Sequence, residues 1–125
     1  MMLSRLKRDT GGASAIEFAL IAPVFFALMM ALIEIGLLVW MQLALQEGVE
    51  AAARCASVNK NLCATTSQVQ AYAAAQSEGL APPASAFTVT AAACGNRVQA
   101  SFSPAYLPTF PIPRRTLTAQ ACFPS

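Results

Sequence analysis

Gly11–Trp40 reads GGASAIEFALIAPVFFALMMALIEIGLLVW, and the fold turns on this stretch. No charged residue occurs from Phe18 to Ile33, and the apolar run resumes past Glu34, from Leu37 to Met41. Counted from Ala13 to Trp40, it exceeds the roughly 20 residues that cross ~30 Å of hydrocarbon. A chain of 125 residues supplies one modest domain, too small to enclose such a helix as its core. The run therefore predicts a transmembrane helix, with a buried core helix as the alternative. One residue needs a separate account: the carboxylate Glu17, which stands at the entrance of the run just after two glycines.

The flanks orient the span. Arg5, Lys7 and Arg8 precede it, opposed only by Asp9, and basic residues are retained on the cytoplasmic side. The C-terminal part is then exported. Of eight basic and six acidic side chains, three and one fall in residues 1–12, so the remainder of the chain is electrically balanced at five of each. It has no basic tract with interleaved aromatics, which gives no footprint for nucleic acid. All four cysteines (Cys55, Cys63, Cys94, Cys122) lie in this part, as expected of two disulfides in a small exported domain. The sequence holds no His and no CxxC, which argues against a metal site and against a redox motif. No cofactor is expected.

An ordinary secretory signal places its small-residue cleavage site after an apolar core of about 7–15 residues. Here the core is longer, and the small residues Gly11-Gly12-Ala13 precede it. A protease reading that site works on the cytoplasmic side and leaves the apolar helix on the product. In this arrangement GASAIEF resembles the processing site of the Flp/Tad branch of type IV prepilins, a Gly, four residues, then Glu and an aromatic. More specifically, residues 11–40 resemble the TadE-like pseudopilins, with Pro23 a few residues after Glu17-Phe18 and a second acidic motif at Glu34-Ile35-Gly36.

The resemblance implies cleavage between Gly12 and Ala13 by a prepilin peptidase, with Glu17 and Phe18 serving processing and assembly. It implies that Glu17 meets the terminal amine of a neighbouring subunit. Unpaired charges at an apolar boundary are costly, and one pair fixes axial register in a bundle with little shape information. A solvated headgroup-level acid is the alternative. Gly12 lacks a Cβ and so permits close approach of a protease, and Gly11-Gly12 should separate the leader from the helix, glycine being a poor helix former. Pro23 removes one backbone hydrogen bond and should kink or loosen its turn. Glu34 lies about 25 Å further along, rotated away from Glu17, either reaching the interface or facing a partner helix.

Beyond the membrane, Leu38, Met41, Leu45, Val49 and Ala52 keep helical spacing, so one helix is expected from about Ala13 to Arg54. A short helix follows from a capping box near Thr65–Gln70, Ser67 with Gln70 being one version, and stops at Gly79. The alternating stretch AFTVTAAAC, a Gly95-Asn96 hairpin turn, RVQASFS and RTLTAQACF give three strands. Four cysteines allow three pairings; the one favoured joins Cys55 to Cys63 and Cys94 to Cys122. Tyr106 and Phe110, among prolines, either cover the sheet or form an exposed edge.

The expected fold is α+β. A long transmembrane helix continues into an amphipathic stalk, packed by a short helix and a three-stranded antiparallel sheet, with a leader at 1–12, a span at 13–40 and a head at 41–125. The resemblance implies a structural minor pilin without catalytic residues, acting in pilus initiation, assembly or tip formation. Its partners would be the prepilin peptidase, other pilins (a second TadE-like or TadF-like subunit), the inner-membrane pilus platform and the lipid bilayer. It would sit in the inner membrane and then in a surface filament. An unprocessed single-pass anchor presenting a small disulfide-bonded binding domain is the alternative.

Overall fold

The structure, a computed structural model, describes residues 11–105 and 115–125. Residues 1–10 of the expected leader, and Tyr106 and Phe110 of the proline-rich segment, lie outside the described residues. The chain divides into two compact units, Met1–Ile35 and Gly36–Ser125.

Helix α1 (Gly11–Val58) runs through both units without interruption. Gly11 and Gly12 are both helical, so the two glycines do not separate leader from helix as expected. The helix also continues through Pro23, whose missing N–H leaves the carbonyl of Ala19 without its usual donor. At the other end α1 passes Arg54 and stops at Val58. There Lys60 Nζ donates to the Ala56 carbonyl at 3.2 Å, while Asn59 Oδ1 accepts from the amides of Asn61 and Leu62 at 3.3 and 3.2 Å. These bonds satisfy groups that a helix end leaves open and turn the chain.

In the second unit, the outer half of α1 buries one face. Met41, Leu45, Val49, Ala52 and Ala56 recur every three or four residues and are all in the core, with Leu38 packed at its margin. Helix α2 (Thr66–Gln76) covers part of that face with Val69 and Ala73. Its N-terminus is a capping box built on Thr65 and Gln68 rather than on Ser67 and Gln70. Thr65 Oγ1 accepts from the Gln68 amide at 3.3 Å, and Gln68 Oε1 accepts from the Thr65 amide at 3.1 Å. The reciprocal bonds need the hydroxyl on the residue before the first helical turn, a position Thr65 holds with an extended φ of −117°. The helix is capped at Ser77, two residues before Gly79.

The sheet is antiparallel in the order β1-β2-β3, formed by β1 (Phe87–Ala92), β2 (Gly95–Phe102) and β3 (Leu117–Phe123). Its inner face is set by period-two alternation. Phe87 pairs with Ala100 and Ala100 with Ala119, so a large side chain faces small ones across the sheet; Val89, Val98 and Ala121 form a second row. The hairpin turn lies two residues before the place read from the sequence. Ala92 pairs with Gly95, which leaves Ala93-Cys94 as the turn and makes Gly95 the first residue of β2, with φ +114°. Glycine was needed beside the turn and not within it.

The two disulfides join Cys55 to Cys63, eight residues apart, and Cys94 to Cys122, twenty-eight apart. The first ties the end of α1 to the loop before α2, and the second ties the hairpin turn to β3. On the loop-entropy account each restrains the unfolded chain, by about 2–4 kcal/mol and more for the longer loop.

Helices α1 and α2 come close together at Gly48. A Cβ there would lie 2.8 Å from the Ala73 carbonyl oxygen and would also strike Ser77 Oγ. Ser77, 2% exposed, donates that hydroxyl to the same carbonyl at 2.9 Å. Gly48→Ala is therefore expected to destabilise the head by about 1–3 kcal/mol through overpacking against backbone, despite alanine's better helix propensity. Chemical denaturation of the purified protein checks this, and an unchanged or raised midpoint would contradict it. Phe87, 1% exposed, is expected to cost about 3–5 kcal/mol when truncated to alanine, read from the same experiment.

Candidate assembly helix

Residues 11–35 form a helical segment with almost no burial. Ile16, Phe18, Leu20 and Ile21 are each more than 60% exposed, and so are Val24 and Phe26. Phe25 and Phe26 meet edge to face with centroids 5.9 Å apart. The most apolar window of α1 has a mean hydropathy of 2.4, and none of it is buried within the chain. Its length and composition suffice to cross a membrane, and it is not the core of this domain. So large an apolar surface demands a non-aqueous environment or a partner. It is compatible with a membrane anchor.

Gly12, Ala13, Glu17 and Phe18 fall in the first turns of this helix. Gly12 is exposed, with nothing within 4 Å of the place a Cβ would take, so the backbone is approachable at the expected cleavage point. Glu17 is exposed, and Phe18 is 72% exposed. Glu34 differs from Glu17: it is 5% exposed, and among the described residues its Oε2 has no hydrogen-bond partner. A separation of seventeen residues sets the two acids about 25 Å apart along the axis, so they do not form one site. Pro23 lies on the same segment, between them. The four cysteines belong to the head and are all paired.

Among the described residues, no group of His, Cys, Asp or Glu is placed to hold a metal ion. In the second unit an open groove of about 600 Å³ runs between α1 and β3, lined by Gln46, Glu47, Glu50 and Arg54 on one side and Gln120 and Phe123 on the other. Its polar groups are amides, carboxylates and a guanidinium, suited to contact and hydrogen bonding. Three glutamine amides reach the sheet, a role not assigned to them from the sequence. Gln42 Nε2 donates to the Thr118 carbonyl at 2.7 Å and Gln46 Nε2 to the Gln120 carbonyl at 3.3 Å, both on the edge strand β3; Gln70 Nε2 donates to the Phe87 carbonyl of the other edge strand, β1, at 2.7 Å. The one signal in the sequence was the spacing of Gln42 and Gln46, one helical turn apart and beside the core face.

Comparison with curated proteins and with solved structures gives no match. Comparison with family models does: residues 12–54, which contain Gly12, Glu17, Pro23, Glu34 and most of the core face of α1, match the family described as TadE-like protein. Over that helix the chain is similar to the TadE-like family, and the match covers about a third of its length.

Proposed function

We propose that the chain is a minor pilin of a Tad-type pilus, cut by a prepilin peptidase between Gly12 and Ala13 and working through its N-terminal helix in pilus initiation, assembly or tip formation. The observation that carries this reading is the family match over residues 12–54, which spans Gly12, Glu17 and Phe18 at the start of an exposed apolar helix. TadE-like pilus proteins are structural, and the role proposed here is structural as well.

Cleavage would create an ammonium on Ala13, one helical turn before Glu17. In the apolar packing of neighbouring helices each of these charges favours an opposite one, so Glu17 is assigned the amine of the adjacent subunit. Pro23 supplies a turn that lacks one hydrogen bond and can adjust as helices pack. Glu34, buried within the chain, takes no part in the Glu17 contact. The two disulfides suit a head exposed to an oxidising compartment. The partners in this reading are the prepilin peptidase, other pilins, among them a second TadE-like or TadF-like subunit, and the inner-membrane platform.

The intact mass of the protein from its host's membranes tests the reading. A chain beginning at Ala13, replaced by the uncut precursor when the peptidase is deleted or when Gly12→Val is introduced, is the expected result. A leader retained while the pilus machinery is active would leave a membrane-anchored binding domain instead. In the processed protein, Glu17→Gln is expected to lower recovery in the pilus fraction by about tenfold, the equivalent of ~1.4 kcal/mol, with cleavage unchanged. Quantitative immunoblotting of sheared filaments and membranes measures both.

A further inference from the structure

The two disulfides differ in their surroundings. Cys55 and Cys63 are buried, at 8% and 4% exposure. Cys94, in the hairpin turn, is exposed, and its partner Cys122 on β3 is half-buried. Both border a small open cavity of about 160 Å³, which Arg97, Gln120 and Ala121 also line. Arg97 stands directly opposite Cys122 in the register of β2 and β3, so the two side chains share a face with Cβ atoms about 5 Å apart.

The charges around this disulfide are lopsided. From Gly79 to Ser125 the sequence carries three arginines and no acid. Arg97 is the one charged residue lining the small cavity, and among the described residues it has no ion-pair partner. The larger groove that Cys122 also borders is lined by Glu47 and Glu50 of α1, with Arg54 beside them. Glu50 there accepts a hydrogen bond from the Gln46 amide at 2.8 Å.

We propose that Cys94–Cys122 is a thiol-exchange site for small anionic thiols, with Arg97 as its positioning residue and Cys55–Cys63 as the permanent link. Access decides which sulfur is attacked, and Cys94 is the exposed one. A thiolate attacks Cys94 Sγ and forms a mixed disulfide there. The bond between the cysteines breaks, and its electron pair leaves on Cys122 Sγ. The guanidinium opposite Cys122 attracts the incoming anion and favours the departing thiolate. A second thiolate attacks the thiol-derived sulfur of the adduct, which frees Cys94 as a thiolate and releases the reagent as its own disulfide. Both cysteines then take protons from water, so one disulfide is reduced and two thiols are oxidised.

Exchange unfastens the hairpin turn from β3, while Leu117 and Ala119, each 7% exposed, keep the strand in the core. The residues released, Cys122 and Phe123, border the groove between α1 and β3. This chemistry belongs to the head and is independent of cleavage at Gly12.

Full-length protein in mild detergent is treated with limiting mercaptoethanesulfonate, an anionic thiol, or with cysteamine, a cationic one, at matched thiolate concentration. Iodoacetamide quenches the exchange, and peptide mass mapping locates every adduct. The expected product carries the thiol on Cys94 and the alkyl group on Cys122, with Cys55–Cys63 intact. The anionic thiol is expected to react about tenfold faster than the cationic one, the low end for steering by a charged cleft. Arg97→Gln is expected to remove most of that preference and Arg97→Lys to keep it, whereas a structural role for Arg97 would leave the ratio unmoved. Circular dichroism verifies that both variants fold, and the adduct map of the wild-type protein decides the attacked sulfur without any substitution. Reduction of both disulfides together, adducts chiefly on Cys122, equal rates for the two thiols, or a preference that survives Arg97→Gln would each overturn the proposal.

Discussion

The outer half of α1 presents Met41, Leu45, Val49, Ala52 and Ala56 along one side, and the rest of the head exists to cover that side. An amphipathic helix alone in water is marginal, and most helical stability comes from packing of the apolar face. Here the cover comes from Val69 and Ala73 of α2 and from Phe87, Val98, Ala100, Leu117 and Ala119 of the sheet. The core is narrow, and it is rich in alanine. Small side chains let backbones approach closely, and Gly48 against Ala73 is a case in point. With so little apolar volume per element, the two disulfides carry a larger share of the stability than they would in a bigger domain.

Residues 11–35 obey a different rule. Their side chains point outward at every azimuth, so periodicity selects no face. Glu34 is the exception in this segment, being buried without a hydrogen bond to Oε2 among the described residues. One continuous helix therefore carries two kinds of information. Its apolar segment is almost uniform and says little about alignment, so alignment falls to the few charged positions. Its outer segment has one side given to the head and another left free.

The parts of the fold legible in the sequence were those set by periodicity. Met41, Leu45, Val49 and Ala52 were readable as one buried stripe, and the alternation in FTVTAA and LTAQACF as strands, because hydrophobic spacing and burial have a common cause. Local turn chemistry was harder. Gly95-Asn96 looked like a hairpin turn, yet the pairing of Ala92 with Gly95 puts the turn on Ala93-Cys94, since register follows the burial of whole strands and not one favourable dipeptide. The capping box had two candidates two residues apart, and only the packing of Val69 and Ala73 decides where α2 starts. Of the candidate site, the positions of Gly12, Glu17 and Pro23 on the helix could be read directly. The burial of Glu34 could not, because a carboxylate in an apolar run reads the same whether it faces solvent or protein.

The glutamines that reach the sheet have a consequence for crowding. A three-stranded sheet has two open edges, and open edges pair with other strands. On β3 the carbonyls of Thr118 and Gln120 are held by amides of α1, and on β1 the carbonyl of Phe87 is held by α2. A strand arriving from a neighbouring head finds these acceptors taken. Many such heads brought side by side at high local concentration would remain separate sheets, and any order among them would come from their helices.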